Sequence, residues 1–311
     1  MSNLVQSTNT LLMIEPVAFG SNPETADSNV FQHEQADSNV QEQALLEFND
    51  LVRTLEDKGV TVIRVQDTLE PKTTDSIFPN NWISTHQDGT VVLYPMEAKN
   101  RRLERRDDII ENLETKYQFS YDRILDFSPH ELSQKYLEGT GSLILDRVNK
   151  IAYACYASRT DRELLDLWAK TMGYAVCGFS AAVSNGDQIY HTNVMMCLGS
   201  SYAVICLSAI VNEDERAKVV TSLNQTGHEV IDISEEQMFQ FAGNMLEVLG
   251  SNNRKLLAMS KAAHDSLTDN QKDMISDHAE IVSSPIPTIE YCGGGSVRCM
   301  LAEIFLPKLN T

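Results

Sequence analysis

The 311-residue sequence predicts an α/β fold: five ββαβ units closed into a ring, a five-bladed propeller with pseudo-fivefold symmetry. Three observations predict it. Strand–helix–strand patterns recur with starts roughly 50–60 residues apart, a spacing typical of repeat architectures. Each pattern is preceded by one more apolar strand that carries polar residues at its mouth. The last such strand, GGGSVRCMLAEIF (293–305), has no unit after it unless the chain closes on itself, in which case LLMIEP (11–16) completes it. The whole chain, 1–311, then reads as a single domain whose termini meet inside one unit.

The first unit runs from LLMIEP through a helix to VTVIRV (60–65). Leu45, Phe48, Val52 and Leu55 share one face of a 3.6-residue helix, with Leu46 and Leu51 beside them, and Gly59 closes it. The second comprises FPNNWIST (78–85), VVLYP (91–95), a helix around Ile109, Ile110 and Leu113, and RILDF (123–127). The third comprises EGTGSLILD (138–146), IAYACY (151–156), a helix with Thr160 as its N-cap, and YAVCGF (174–179). The fourth comprises HTNVMMCLG (191–199), YAVICLS (202–208), the helix NEDERAKVVTSLNQTG, and HEVIDI (228–233). The fifth is less regular: GNMLEVLG (243–250), KLLAMS (255–260), one helix through Leu267 and Met274, and AEIVSS (279–284). An open α/β sheet is the competing architecture. The polar residues at the mouths oppose it, because Asn80, Asn81, Glu138, His191, Asn244 and Cys299 are types that catalysis uses.

Composition narrows the function classes. With 25 Lys+Arg against 44 Asp+Glu the net charge is −19, which repels phosphate backbones and anionic lipid. Nucleic acid and membrane are therefore not expected partners; a small molecule is, and the sequence is compatible with a homo-oligomer. No run approaches a membrane span, and the start shows no secretory signal. The six cysteines lack metal or disulfide spacing, so reduced thiols in a cytoplasmic protein are expected, with no metal site. The GTG and GGG stretches match no nucleotide fingerprint.

Cys299 follows three glycines and Arg298. A thiol near its unperturbed value of about 8.5 is only a few per cent thiolate at neutral pH. The adjacent cation and the amides of Gly293, Gly294 and Gly295 are expected to raise that fraction. Cys155, Cys177, Cys197 and Cys206 lie inside apolar strands and read as core, while Cys292 is the rival nucleophile. His191, at the start of a strand, suits proton transfer to a leaving amine. Glu138 can orient it or bind a substrate nitrogen. Arg101, Arg102, Arg105 and Arg106 alternate with Glu104, Asp107 and Asp108 and read as a salt-bridged surface with one member turned inward.

These residues resemble a known family. GGGSVRCM (293–300) is similar to the Gly-rich Arg-Cys-Met ending of the arginine deiminase and amidinotransferase (pentein) superfamily. EGTG resembles its Glu-Gly-Gly-Asp segment, HTN its His-x-Asp segment, and FPNN its Phe-Thr-Arg-Asp type segment. SRT (158–160) is similar to Ser-x-Arg-Thr, and MEAKNRRLE (96–104) to the Met…Arg-x-x-Glu helix start. The resemblance spans Phe78 to Met300 and implies the pentein propeller. It implies Cys299 as covalent nucleophile, His191 as general acid/base and Glu138 as its carboxylate partner. Arg159, and Arg102 or Arg101, would hold a substrate carboxylate, with Phe78, Asn80, Asn81 and Asn193 also contacting substrate; no cofactor is implied.

The departures from the family pattern set the substrate expectation. Asn81 and Asn193 stand where arginine-processing members carry aspartates, and a buried cation needs such anions. An amide suits a neutral ureido group. Citrulline is thus the expected substrate, converted to ornithine, ammonia and carbon dioxide. FPNNW and EPVAFGSNPETADSNVFQ resemble the citrulline-utilisation hydrolase branch. Hydrolysis of arginine or methylated arginine, amidino transfer, and a non-catalytic pentein are the alternatives. Gly141 replaces the aspartate of Glu-Gly-Gly-Asp and leaves the surroundings of Glu138 open. Loops 17–38 and 184–190 are expected to set side-chain selectivity.

Overall fold

A computed structural model describes residues 4–26, 29–34 and 39–309. Five three-stranded sheets succeed one another, and the chain closes as the sequence predicts: Ala302–Glu303 pairs antiparallel with Thr10–Glu15, which pairs parallel with Thr61–Gln66. Every other blade repeats this order, an inner strand antiparallel to the middle one and an outer strand parallel to it. The parallel pairs are the ones joined by helices, as a parallel crossover demands.

The middle strands are apolar on both faces because both are covered. In Thr10–Glu15, Leu11 and Met13 join the cluster beneath the first helix, together with Leu256 and Ala258 of the fifth blade. Leu12 and Ile14, on the opposite face, pack with Ile109, Ile110 and Leu113 of the second blade's helix. The helix Arg162–Met172 likewise packs Leu164, Leu165 and Trp168 against Val92 of the second blade and Ala152 of its own. Each helix thereby seals one blade to the one before it, and the ring closes through side chains as well as through the backbone.

Three expectations need correction. The buried face of the helix Val40–Asp57 is Val40, Ala44, Phe48, Leu51, Val52 and Leu55; Leu46 is 55% exposed and Leu45 only half-buried. The N-cap of Arg162–Met172 is Asp161, whose carboxylate accepts the Leu164 N–H, while Thr160 is held in bridges to Leu137 and Ala157. The fifth blade has two helices, Lys261–Ser266 and Asp269–Ser276, because Thr268 and Gln271 form a capping box that starts a new one.

The polar mouths are not strand ends. Pro79–Asn81, Gly139–Ser142, Thr192–Met195 and Val297–Met300 are single helical turns, each leading into its inner strand, and they pack on one another around the axis. The unpredicted helix Pro287–Gly293 precedes the last of them. Among the described residues no helix is long and apolar enough to cross a membrane.

The corrected helix face has a measurable consequence. Phe48→Ala, at a fully buried position, should cost about 3–5 kcal/mol in urea unfolding. Leu46→Ala should stay within about 0.5 kcal/mol of wild type.

Candidate active site

The turns converge on a cavity lined by Phe78, Asn81, Arg101, Arg159, His191 and Cys299. Cys299 reaches it from the turn Val297–Met300, and His191 from the residue that precedes Thr192–Met195. The two belong to different blades and line the same cavity.

Glu138 is fully buried next to them. Its Oε2 accepts from His191 Nε2 at 2.8 Å, and its Oε1 accepts the Glu97 N–H at 2.9 Å. Burial would raise this carboxylate, but Arg159 (Nη1 at 3.7 Å), the histidine bond and Arg101 outweigh burial and hold it well below the usual range. Burial pushes His191 below its ordinary value, helped by Arg159 and Arg101 and opposed by Glu138. The imidazole is neutral at pH 7, with its Nε2–H on the carboxylate, which leaves Nδ1 as the basic nitrogen.

Gly141 resolves the departure noted around Glu138. A Cβ here would lie 2.3 Å from Asn81 Nδ2 and 2.9 Å from His191 Nδ1. An aspartate at 141 would collide with both; its absence makes room for the Asn81 carboxamide beside the imidazole.

Arg101, not Arg102, is the inward arginine. Its Nε and Nη2 donate to the two carboxylate oxygens of Glu104 at 2.8 and 2.9 Å, and its Nη1 donates to Asn81 Oδ1 at 2.9 Å. Arg102 lies outside the cavity, bonded to the Met96 and Glu97 carbonyls and facing Glu131. One residue of helical rotation separates the two roles. Arg101 is thus engaged by Glu104 and Asn81. Arg159 lines the cavity with its guanidinium 4.8 Å above the Tyr190 ring, and Glu97 lies 3.4 Å from its Nε.

Phe78 and Asn81 line the cavity, whereas Asn80 is buried outside it with neither side-chain polar atom bonded to protein. Asn193 is also absent from the lining, yet its Nδ2 lies 3.3 Å from Cys299 Sγ. Arg298 turns away from the sulfur to the Leu301 carbonyl and Glu303. The Gly294 N–H is bonded to the Glu290 carbonyl, and the Phe78 ring packs against Gly293 and Gly295. Gly293 and Gly295 thus accommodate a ring, and the Gly294 amide, expected to serve the thiol, is taken by a carbonyl. All six cysteines are buried and none is in a disulfide, and Cys292 is outside the cavity.

Asp75 was not anticipated. It lines the cavity, accepts from Asn22 Nδ2 at 2.7 Å through Oδ2, and has no protein partner on Oδ1. Burial raises it, with Arg101 opposing. Nothing but its place three residues ahead of Phe78 marked it among 44 acidic residues. Thr25 and Asn29 of loop 17–38 reach the cavity; residues 27–28 and 35–38 of that loop lie outside the described residues. From 184–190, only Tyr190 lines it among the described residues. No group of three or more metal-ligating side chains occurs among the described residues.

Residues 15–306 match the family described as N,N-dimethylarginine dimethylhydrolase, eukaryotic. The chain belongs to that family. Dimethylarginine dimethylhydrolases are hydrolases of carbon–nitrogen bonds, the enzyme class the sequence predicts. A search of curated proteins gives no match. Among solved structures, the substrate-bound N-terminal domain of ArgZ, a cyanobacterial arginine dihydrolase, superposes with a TM-score of 0.74 at 16% identity, covering 97% of this chain and 99% of that one. AgrE in complex with L-arginine gives 0.73 at 17% identity, covering 96% of this chain and 40% of that one. SxtG, an amidinotransferase of saxitoxin biosynthesis from Microseira wollei, gives 0.70 at 13% identity, covering 98% and 96%. The chain spans about two fifths of full-length ArgZ, 41%, and at these identities the likeness is one of fold. The fold shared with these structures is the five-bladed pentein propeller that the sequence predicts.

Three substitutions test the geometry. Glu138→Gln keeps the shape of the bond to His191 but removes the charge that an imidazolium needs, so kcat should fall by about 10²–10⁴. Arg101→Ala should abolish turnover, while Arg102→Ala should leave it within about threefold of wild type. Steady-state kinetics distinguish them.

Proposed function

We propose that this protein is a cysteine hydrolase that converts citrulline to ornithine, ammonia and carbon dioxide. One observation carries the choice of a neutral substrate. Arg101 takes Asn81 Oδ1, so the end of that carboxamide without a protein partner is its NH₂. A ureido oxygen can accept from that group. A guanidinium, which has donors only, cannot.

The reaction then follows from the groups present. The Cys299 sulfur attacks the ureido carbon while His191 Nδ1 takes the thiol proton. The imidazolium, paired with Glu138, returns it to the departing ammonia, leaving a thiocarbamate between Cys299 and the ornithine nitrogen. Water, deprotonated by the same nitrogen, cleaves the sulfur–carbon bond. The released N-carboxy-ornithine loses carbon dioxide to give ornithine. Arg159 would hold the α-carboxylate, and the unpaired oxygen of Asp75 would accept from the α-ammonium. A charged partner there also relieves the cost of burying Asp75.

One observation favours the second reading, hydrolysis of arginine: Asp75 supplies an anion within the cavity that a guanidinium could reach. Ammonia release separates the two. Wild type should turn over citrulline at least about 100-fold faster than arginine, and Asn81→Asp, which restores an anion, should narrow that ratio by about tenfold or more. Loss of all turnover in Cys299→Ala is expected either way; faster turnover of arginine by wild type would overturn the ureido reading.

A further inference from the structure

The cavity leaves open how negative charge on the sulfur is stabilised. The expected cation, Arg298, points elsewhere, and two neutral carboxamides touch the sulfur instead: Asn193 Nδ2 and Asn244 Nδ2, each 3.3 Å from Cys299 Sγ. Asn244 is not free to rotate. Its Nδ2 also donates to the Asn193 backbone carbonyl at 2.9 Å, which directs one hydrogen to that oxygen and the other to the sulfur. Its Oδ1 is 3.7 Å from the sulfur, close enough to take a thiol hydrogen.

The backbone is shaped to bring Asn244 there. Phe241 sits at φ 62°, a left-handed conformation that is unusual for a bulky residue. Its carbonyl accepts the Asn244 N–H at 2.8 Å. A Cβ on Gly243 would lie 2.4 Å from the Val194 carbonyl oxygen, so only glycine permits this approach to the turn that carries Asn193. Such conformations persist where the surroundings enforce them, and they gather at functional sites. Asn244 itself is fully buried, 55 residues from Cys299 in sequence.

We infer that Asn244 is a further catalytic residue, forming with Asn193 a paired-amide cradle that stabilises the anionic Cys299 sulfur. The sulfur gains negative charge as His191 takes its proton and again when the sulfur–carbon bond breaks. Oriented dipoles already in place stabilise both states without reorganising. Neutral donors offer an advantage over a cation here, because a guanidinium beside the sulfur would compete with the substrate ammonium for Asp75. The inference rests on Cys299 as nucleophile, not on the identity of the substrate.

The test is the pH profile of iodoacetamide alkylation at Cys299, read by peptide mass spectrometry so that the other five cysteines do not interfere. Asn244→Ala and the isosteric Asn244→Asp should each slow alkylation at pH 7 by about tenfold and move the profile to higher pH by about one unit. A folded variant whose profile coincides with wild type overturns the inference, whatever happens to turnover. A measurement on wild type needs no variant: the ¹⁵N side-chain signals of Asn193 and Asn244 should shift over the same pH interval as alkylation and stay still in Cys299→Ala. Signals that do not titrate overturn it equally. Ammonia release by Cys299→Ala separately tests the nucleophile reading, so the two failures are distinguishable.

Discussion

The bracing of the Arg101 guanidinium governs the chemistry of the cavity. A buried cation is tolerable only when its charge and its donors are met. Glu104 meets two donors in a bidentate pair, and Asn81 meets a third with its oxygen. The same contact therefore decides which end of Asn81 is available to a ligand. Substituting an aspartate at 81 would add a further salt bridge to those the guanidinium makes with Glu104 and Asp75 and return an anion to the cavity. In the reaction we propose, substrate charge would be selected by a residue that need not touch the reacting carbon.

This arrangement depends on ring closure. Cys299 lies immediately before Ala302–Glu303, and that short strand is held by Thr10–Glu15 from the other end of the chain. His191, Glu138 and Asn81 enter on turns from three other blades. Short helical turns, unlike strands, let neighbouring residues diverge by about 100°, so Arg298 and Cys299 can face opposite sides of the same turn. Cys299 is placed by long-range pairing, and His191, Glu138 and Asn81 by turns that pack on one another.

Much of this was legible in the sequence, and the limits have physical causes. KLLAMS and IAYACY coincide with strands Lys255–Ser260 and Ile151–Tyr156 because buried parallel strands are continuous apolar runs. Cys299, His191 and Glu138 were found because their chemistry and their equivalent places in the repeat agreed. Arg101 and Arg102 could not be separated, since both satisfy the motif and only the phase of one short turn decides between them. Leu45 and Leu46 outweighed Ala44 in hydrophobicity, but the helix presses its small residue against the neighbouring blade. Asp75 carried no pattern, because its function arises from being buried next to Arg101, a relation that depends wholly on tertiary structure. The glycines before Cys299 suggested exposed amides, whereas they accommodate the Phe78 ring.

In the reaction we propose, the sulfur of Cys299 becomes bonded to a ureido carbon in a cavity that offers that group a donor. Acid-quenching the protein during turnover and sequencing the modified peptide tests this directly. The prediction is an adduct on Cys299 with the mass of citrulline less ammonia, formed with citrulline in preference to arginine. An adduct formed only with arginine, or one carried by a cysteine other than 299, would contradict it.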